Sequence, residues 1–464
     1  MIDEPRPVDE GTGRVGQRRW TLFATSIGFA VVQLDVSVVN VAIRPIGEEF
    51  GGGVSALQWV VNAYTVAFAA LILTAGALGD RIGSKRVFAA GFVLFTAASV
   101  ACALAPSLGA LIAARAVQGV GAAILVPCSL TLLNHGYPEP GKRTRAVGLW
   151  AAGASAALAG GPLVGGVLIA AIGWRSIFMI NVPIGVVAIW LTVRCVMETP
   201  RSRDRGVDLP GQAGAIVALA VLAGTVIAGG TRGFTDPAVL AGFAVAVLAS
   251  AGFVVVEAVR ARPMLPLRLF RSPTFSATSA IGLLINVAFY GLIFVFTLFL
   301  QGRQGYSPLQ AGLAFAPVTA AVMIANLSAG RVAAVAGERW MIVGGALLMA
   351  GGCAALLGID SGTRYIGLVA QLVAVGCGIG LVVPAMTSSL LGSVDRSLSG
   401  VASGTLNSAR QAGSVIGVAL FGALIATGER FVLGLHAALA ISAVLAVVTA
   451  VLAAGVRADT VSTP

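Results

Sequence analysis

The sequence predicts an all-α polytopic membrane protein with fourteen transmembrane helices. Of its 464 residues, 57% are hydrophobic and only 11% are charged, whereas charged residues make up about a quarter of a soluble domain. A helix needs about 20 apolar residues to span a bilayer, and fourteen runs of this kind occur. The predicted helices cover residues 20–43, 56–78, 87–105, 108–133, 145–171, 175–197, 211–229, 237–257, 273–300, 309–330, 340–358, 365–391, 402–427 and 434–455.

The positive charges are distributed asymmetrically. The chain has 30 Lys and Arg against 19 Asp and Glu, a formal net charge of +11. If the N-terminus is cytoplasmic, 22 of the 30 cations fall in cytoplasmic segments, 6 fall outside and 2 lie within apolar runs. Cytoplasmic loops carry such an excess of Lys and Arg. The charge therefore indicates two cytoplasmic termini and contact with membrane lipids, and it does not indicate a nucleic-acid partner.

No cofactor or metal site is predicted. The five cysteines lie inside apolar runs without CxxC spacing, and the two histidines are far apart in the sequence. No phosphate-binding loop of the GxxxxGK[ST] type occurs, which disfavours transport driven by ATP. No small-residue cleavage site follows the first apolar run, so we expect the first helix to be an uncleaved signal anchor.

The two ends of the chain resemble each other. The string GVGAAILVP at 119–127 returns as GCGIGLVVP at 376–384, an offset of 257 residues, and a glycine pair at 161 and 165 recurs 252 residues later. Many transporters are built from internal repeats. We therefore predict two parallel six-helix bundles, at 20–197 and 273–455. Between them lie linkers and an inserted helix pair at 198–272, and tails lie at 1–19 and 456–464.

A charged turn joins predicted helices 2 and 3. Its glycines are Gly76, Gly79 and Gly83, and its charged residues are Asp80, Arg81, Lys85 and Arg86. Gly79 and Gly83 permit a tight turn, and Asp80 is placed to face the positive N-terminus of a neighbouring helix. The whole stretch resembles the helix 2–3 loop signature of the major facilitator superfamily.

Two further stretches resemble signatures of exporters in that superfamily. Arg115 and Gln118, followed by glycines at 119 and 121, resemble the helix 4 signature of its proton-coupled exporters. In predicted helix 5, Gly161 and Pro162 followed by Gly165 and Gly166 resemble a signature largely restricted to its antiporters. Pro162 removes a backbone donor and bends the helix, while the glycines clear a face for close packing. A helix that bends at a packed interface can act as a gate.

The string LDVSVVNVA at 34–42, which contains Asp35 and Asn40, resembles the fourteen-helix drug:proton antiporter branch, as does NVPIG at 181–185. This resemblance covers essentially the whole chain. It implies the major facilitator fold, small-molecule substrates, a proton gradient in place of a cofactor, and a functional monomer in the bacterial cytoplasmic membrane. Well-known multidrug members carry further carboxylates in the C-terminal half, whereas this chain has Asn326 and Arg410 there.

Three ionisable residues lie deep within apolar runs: Asp35, Arg115 and Arg410. Burying each costs at least about 2.5–3.5 kcal/mol, so each is a candidate functional residue. Counting about 1.5 Å per residue from the helix ends places Asp35 and Arg115 both roughly 13 Å below the outer surface. We predict that they form a proton-coupling pair; the alternative is a static structural ion pair. Glu257, at the inner end of predicted helix 8, is expected to extend to the interface.

The substrate cavity is predicted to involve Asp35, Arg115, Gln118, Asn40, Arg410 and Asn326. Arg410, near mid-depth, faces either an anionic group of the substrate or a cluster of carbonyls. The predicted function is proton-coupled efflux of small amphipathic organic compounds, drugs or natural products, by alternating access. Proton-coupled uptake and a non-transporting membrane sensor are the alternatives. An enzyme would need a catalytic set at membrane depth, which a single deep carboxylate does not supply.

Overall fold

The computed structural model describes residues 10–201, 208–260, 263, 265–360, 363–394, 398–426 and 430–455. The predicted C-terminal tail at 456–464 and the first nine residues of the predicted N-terminal tail lie outside these ranges. Residues 10–19 of that tail form the beginning of the first helix.

Fourteen long helices run through the described chain. In order they are α1 Glu10–Phe50, α2 Val54–Ile82, α3 Ser84–Ala103, α4 Leu108–Gly136, α5 Pro140–Ile172, α6 Ser176–Cys195, α7 Leu209–Arg232, α8 Pro237–Val259, α9 Pro273–Leu298, α10 Pro308–Ala336, α11 Glu338–Ala355, α12 Ile366–Gly392, α13 Ser399–Leu424 and α14 Phe431–Gly455. α9 continues into a π-helical turn, Phe299–Arg303. α6 and α10 each contain a short break, at Ile180 and Phe315.

Thirteen of these helices, within the described ranges, are long and apolar enough to cross a membrane. The exception is α13, which has 26 residues but carries the polar stretch Asn407 to Gln411 in its middle. Since one membrane crossing needs about 20 residues, α13 has the length to span and lacks only the uniform apolar character. Polar residues at such depth mark a functional surface.

Successive helices reverse direction at short turns. Gly51 (φ 67°) joins α1 to α2, and Gly83 (φ 110°) joins α2 to α3. Both glycines adopt a backbone conformation that a side chain at Cβ would oppose. We call the end of the bundle with the α1–α2 turn the Gly51 face and the opposite end the Gly83 face.

The helix contacts of the first six helices recur in the last six. α1 packs against α4, α5 and α6, and α9 packs in the same way against α12, α13 and α14. α4 packs against α2 and α3, and α12 packs against α10 and α11. α3 also contacts α6, as α11 contacts α14. This pattern supports the predicted division into two six-helix bundles, which we call the N-half (α1–α6) and the C-half (α9–α14).

The repeated glycines occupy matching contacts. A Cβ at Gly119 of α4 would lie 2.3 Å from the Tyr64 carbonyl oxygen of α2, and one at Gly376 of α12 would lie 2.4 Å from the Val318 oxygen of α10. In the same way the repeated glycines of α5 and α13 press on α1 and α9. Small residues at these points let helix backbones approach closely, so the sequence repeat reflects a repeat of helix packing.

The halves meet at the Gly51 face through two buried glutamines. Gln58 Nε2 of α2 donates to the carbonyl oxygens of Val418 and Ala419 of α13, both at 2.8 Å. Gln301 Nε2, after α9, donates to the Val41 oxygen of α1 at 2.9 Å. Both side chains are fully buried. These hydrogen bonds tie the halves together at one end of the bundle.

The inserted helices pack on one side of this interface. α7 lies across α2 and α13, and Gln212 Nε2 of α7 donates to the Ala70 oxygen of α2 at 2.6 Å. α8 packs mainly on α7, and only 11% of its most apolar window is buried within the protein. An apolar helix exposed to this extent is stable only with lipid around it.

Glu257 lies elsewhere than predicted. Its side chain does not extend to the interface: the residue is 2% exposed, and Oε2 accepts a hydrogen bond from the Leu265 amide at 2.7 Å. A buried carboxylate needs such donors, and the chain that follows α8 supplies this one by folding back over the helix end. Periodicity alone does not reveal a returning loop.

Candidate functional site

Asp35 and Arg115 are in contact in the N-half. Arg115 Nη1 of α4 donates to Asp35 Oδ2 of α1 at 2.5 Å. The two side chains are 0% and 1% exposed, so the pair is fully enclosed by protein. A buried ion pair is held by its own attraction only when further hydrogen bonds satisfy both groups.

Those further hydrogen bonds come from α3, α4 and α6. Gln118 Nε2 of α4 donates to Asp35 Oδ1 at 2.8 Å, and Asn181 Nδ2 of α6 donates to the same oxygen at 3.2 Å. Ser99 Oγ of α3 accepts from both amides, at 2.9 and 3.2 Å. All of these side chains are buried. The carboxylate of α1 therefore accepts hydrogen bonds from α4 and α6, and α3 holds the two amides that donate to it.

Arg115 has its own acceptors. Its Nη1 also donates to Gln118 Oε1 at 2.6 Å, and its Nε donates to the Val60 carbonyl oxygen of α2 at 3.1 Å. The guanidinium carbon lies 4.2 Å from the centre of the Tyr64 ring and 5.8 Å from that of Phe178. Aromatic faces attract a desolvated cation, so α2 and α6 also hold this side chain.

The two oxygens of Asp35 join α1 to two other helices. Oδ2 accepts from Arg115, and Oδ1 accepts from Gln118 and Asn181. Loss of any of these donors changes the contact of α1 with α4 or α6.

Two other predicted cavity residues are not part of this cluster. Asn40 is buried and donates to the Val36 oxygen of its own helix at 3.0 Å. Asn326 of α10 is half-buried and its Oδ1 has no partner within the described chain. Asn40 thus caps a helix carbonyl, and Asn326 lies in the other half.

Arg410 lies in the C-half, on α13, and is partly buried. Its Nε is buried without a hydrogen-bond partner among the described residues. Its Cγ lies 3.3 Å from the position that a Cβ on Gly282 of α9 would occupy. The absence of a side chain at Gly282 leaves the space that the Arg410 stem fills.

The profile of the Major Facilitator Superfamily matches residues 25–418. The chain is 37% identical over 402 residues to a methylenomycin A resistance protein of Streptomyces coelicolor. The aligned region covers 87% of this chain and 84% of that protein. The chain belongs to the major facilitator superfamily.

Other major facilitator proteins are similar over comparable lengths. The multidrug resistance protein Stp of Mycobacterium tuberculosis is 36% identical over 406 residues, covering 88% of this chain and 75% of Stp. A crystal structure of a bacterial homolog to the human lysosomal transporter Spinster superposes with a TM-score of 0.66 at 17% identity, covering 94% of this chain and 96% of that one. The predicted fold is thereby confirmed, and the protein is a transporter and not an enzyme.

The superfamily's helix 5 signature divides its glycines between two neighbours. A Cβ at Gly161 or Gly165 would meet α1, 1.8 Å from Ser37 Oγ and 2.6 Å from Val38 Cγ2 respectively. A Cβ at Gly166 would meet α10 of the other half. Pro162 takes part in the same contact, because its carbonyl oxygen lies 2.2 Å from a Cβ built on Gly312. The signature therefore fits α5 both to its own half and to the C-half.

The loop signature of the superfamily is anchored by residues that the sequence did not single out. Lys85 N donates to Glu198 Oε1 and Ser84 N donates to Thr199 Oγ1, both at 2.9 Å. Lys85 Nζ donates to the Val193 oxygen near the end of α6, also at 2.9 Å. Glu198 thus packs against the N-half, although the predicted linker begins at this residue.

The remaining loop residues have distinct positions. Gly79 and Gly76 both face α4. A Cβ at Gly79 would lie 2.9 Å from Cys128 Sγ, and one at Gly76 would lie 3.5 Å from Pro127 Cβ. Asp80 is half-buried, while Arg81 and Arg86 are exposed at the Gly83 face. The contact of Asp80 with the N-terminus of a neighbouring helix stays a prediction.

Sequence reasoning missed Ser99, Asn181 and Tyr64 as members of the Asp35 site. Ser99 and Tyr64 are isolated polar groups within apolar runs of α3 and α2, and Asn181 opens a motif quoted for its family likeness alone. The signal that indicates these three residues is depth: polar residues of the first six helices that lie at the same depth as Asp35 and Arg115 are candidates for the site.

Proposed function

We propose that the protein is a proton-coupled antiporter that exports small amphipathic organic compounds across the bacterial cytoplasmic membrane. The observation that carries this proposal is the buried Asp35 carboxylate, held by Arg115, Gln118 and Asn181 from two other helices. Intramembrane carboxylates of this kind serve as proton sites in transporters. The resistance that its relatives are named for supports the direction of transport.

In the proposed cycle, Asp35 takes up a proton and Arg115 loses its counter-charge. Arg115 keeps the Gln118 and Val60 oxygens as acceptors, so the cation stays satisfied while α1 is released from α4. Deprotonation restores the ion pair and returns α1. Because the Asp35–Arg115 pair joins α1 to α4 deep in the N-half, one proton can bias this half between two positions.

Alternating access then follows from movement of the two halves around a central substrate. The Gly51 face, closed by Gln58 and Gln301, is the outer face in this proposal, and the Gly83 face with both termini is cytoplasmic. Arg81 and Arg86 are exposed at that face, as expected of residues that contact anionic lipid head groups. A single chain contains both halves, so a monomer suffices.

The test is substrate-stimulated proton flux in proteoliposomes. An imposed proton gradient directed into the cytoplasmic side should drive accumulation of compound on the opposite side, and adding compound without a gradient should move protons. Neutral, anionic and cationic amphiphiles are compared, with a protonophore and protein-free vesicles as controls. Compound movement that ignores the gradient in every case contradicts the proposed coupling.

Gly166→Val should prevent closure of the Gly51 face. A Cβ at Gly166 would lie 2.8 Å from Leu309 Cα and 2.9 Å from the Pro308 oxygen, and backbone cannot yield as a side chain does. Overpacking costs about 1–3 kcal/mol, which shifts the balance toward the state open at this face by about 5- to 150-fold. Gly160→Val is the matched control, because nothing lies within 4 Å of its Cβ position.

The shift is measured by the distance between spin labels on exposed residues of the two halves, Glu48 of α1 and Gln310 of α10. The background lacks the five native cysteines. Gly166→Val should lengthen the distance and slow export, whereas Gly160→Val should resemble the parent protein. Equal distances in both variants contradict the gating role of this signature.

A further inference from the structure

Arg410 has no counter-ion among the residues that the structure describes. Within the described chain no carboxylate contacts it, and its buried Nε has no acceptor. Arg115, the other deep arginine, has a carboxylate, an amide oxygen and a backbone carbonyl. Leaving a buried N–H without an acceptor is costly, and Arg410 bears this cost where Arg115 does not.

Tyr64 and Tyr290 lie on α2 and α9, two helices that pack against α13. Ser408 Oγ of α13 donates to the Ala69 oxygen of α2 at 3.1 Å, and α9 lies against the Arg410 stem. The Tyr64 hydroxyl is buried without a partner among the described residues. A guanidinium and two tyrosines therefore lie on three adjoining helices at the interface between the halves.

We propose that Tyr64, Tyr290 and Arg410 bind an anionic oxygen group of the transported compound, such as a carboxylate or phenolate. Arginine matches the geometry of a carboxylate through paired N–H donors, and hydrogen bonds to an ionised acceptor are roughly twice as strong as neutral ones. The transported compounds are accordingly organic anions or zwitterions. This inference rests on the proposed transport function and names its substrate class.

The same site reaches the proton-binding carboxylate. The Tyr64 ring lies under the Arg115 guanidinium, 4.2 Å from ring centre to Cζ, and Arg115 holds Asp35. An anion that draws the Tyr64 hydroxyl toward Arg410 moves the ring on which Arg115 rests. Substrate binding and the Asp35 ion pair are therefore connected through one side chain.

Three probes that share one fluorescent ring system test the charge preference: dansylglycine, its primary amide, and dansyl-ethylenediamine. Binding to the full-length protein in nanodiscs is measured by fluorescence titration. Dansylglycine should bind at least about tenfold more tightly than the amide, and the amine should bind most weakly.

The variants assign the preference to residues. Arg410→Gln should remove the advantage of dansylglycine over its amide and leave the amide's affinity unchanged. Tyr290→Phe should reduce the advantage severalfold while keeping the protein's shape, so it tests the site even if Arg410→Gln fails to fold. Arg364→Gln, which removes an exposed cation of the same half, should behave like the parent protein.

Two binding results overturn the inference: no saturable binding of dansylglycine, or an advantage that persists in both Arg410→Gln and Tyr290→Phe. Water satisfying Arg410 gives the second result. The outcome is separate from that of the proposed function. Binding that depends on Arg410 but moves no protons contradicts the proton coupling and supports the anion site. Proton-driven export of the amine alone contradicts the anion site and supports the proton coupling.

Discussion

Asp35→Asn is expected to abolish proton-driven export while the protein still folds and binds its compounds. Asparagine has the shape of the protonated aspartic acid but cannot release a proton. The variant therefore imitates one state of the proposed cycle, and Arg115 retains the Gln118 and Val60 oxygens in it. The expected loss is complete for compound movement driven by the gradient, measured in proteoliposomes, with binding within severalfold of the parent.

Glu48→Gln is the matched control for this variant. Glu48 is a carboxylate on the same helix that pairs with Arg44 in an exposed position, and exposed pairs contribute little, about 0–1 kcal/mol. Gradient-driven export should persist in Glu48→Gln. Undiminished export in Asp35→Asn would assign the Asp35–Arg115 pair to structure alone, which is the alternative that the sequence left open.

Arg115→Gln is expected to lower the stability of the N-half substantially. It leaves the buried Asp35 carboxyl with only two amide donors. Removing one partner of a buried ion pair typically costs about 3–5 kcal/mol. Thermal unfolding in detergent should therefore begin at a clearly lower temperature. Adding Asp35→Asn to the same chain should restore much of the loss, because neither charge then remains.

An exposed arginine provides the comparison. Arg175 binds Glu49 through two hydrogen bonds of 2.7 and 2.6 Å at the Gly51 face, with both side chains about two-fifths exposed. Arg175→Gln should lower the unfolding temperature only slightly, since water replaces the lost partner. If Arg115→Gln is no more destabilising than Arg175→Gln, or if the double variant is worse than either single one, the pair is not coupled.

The sequence predicted the elements that depend on apolar length and on depth. The fourteen helices follow from runs of about 20 residues, and the contact of Asp35 with Arg115 follows from two counts of about 1.5 Å per residue. Both arguments need only position along the chain. They succeed for membrane helices because each helix crosses the bilayer once, so position along the helix gives depth. The polar middle of α13 did not obscure it, because the residues that follow, 412–424, are mostly apolar.

What the sequence did not predict depends on rotation about a helix axis and on returning loops. Whether Ser99 or Asn40 faces Asp35 depends on the side of the helix from which each side chain projects. Apolar runs without clear periodicity do not define that side. Asn40 turns to its own backbone, whereas Ser99 turns to the carboxylate's partners. Glu198 and Glu257 are bound through segments that fold back over helix ends, and such contacts leave no local pattern.

The inserted helix α7 makes the bundle unequal on its two sides. The halves share two equivalent seams along the membrane, α2 against α13 and α5 against α10. α7 covers the first through packing on both of its helices, and no described helix covers the second. A compound dissolved in the lipid therefore meets α7 at the α2–α13 seam, whereas the α5–α10 seam is not covered by any described helix. We expect lateral access from the bilayer to be one-sided, through the α5–α10 seam.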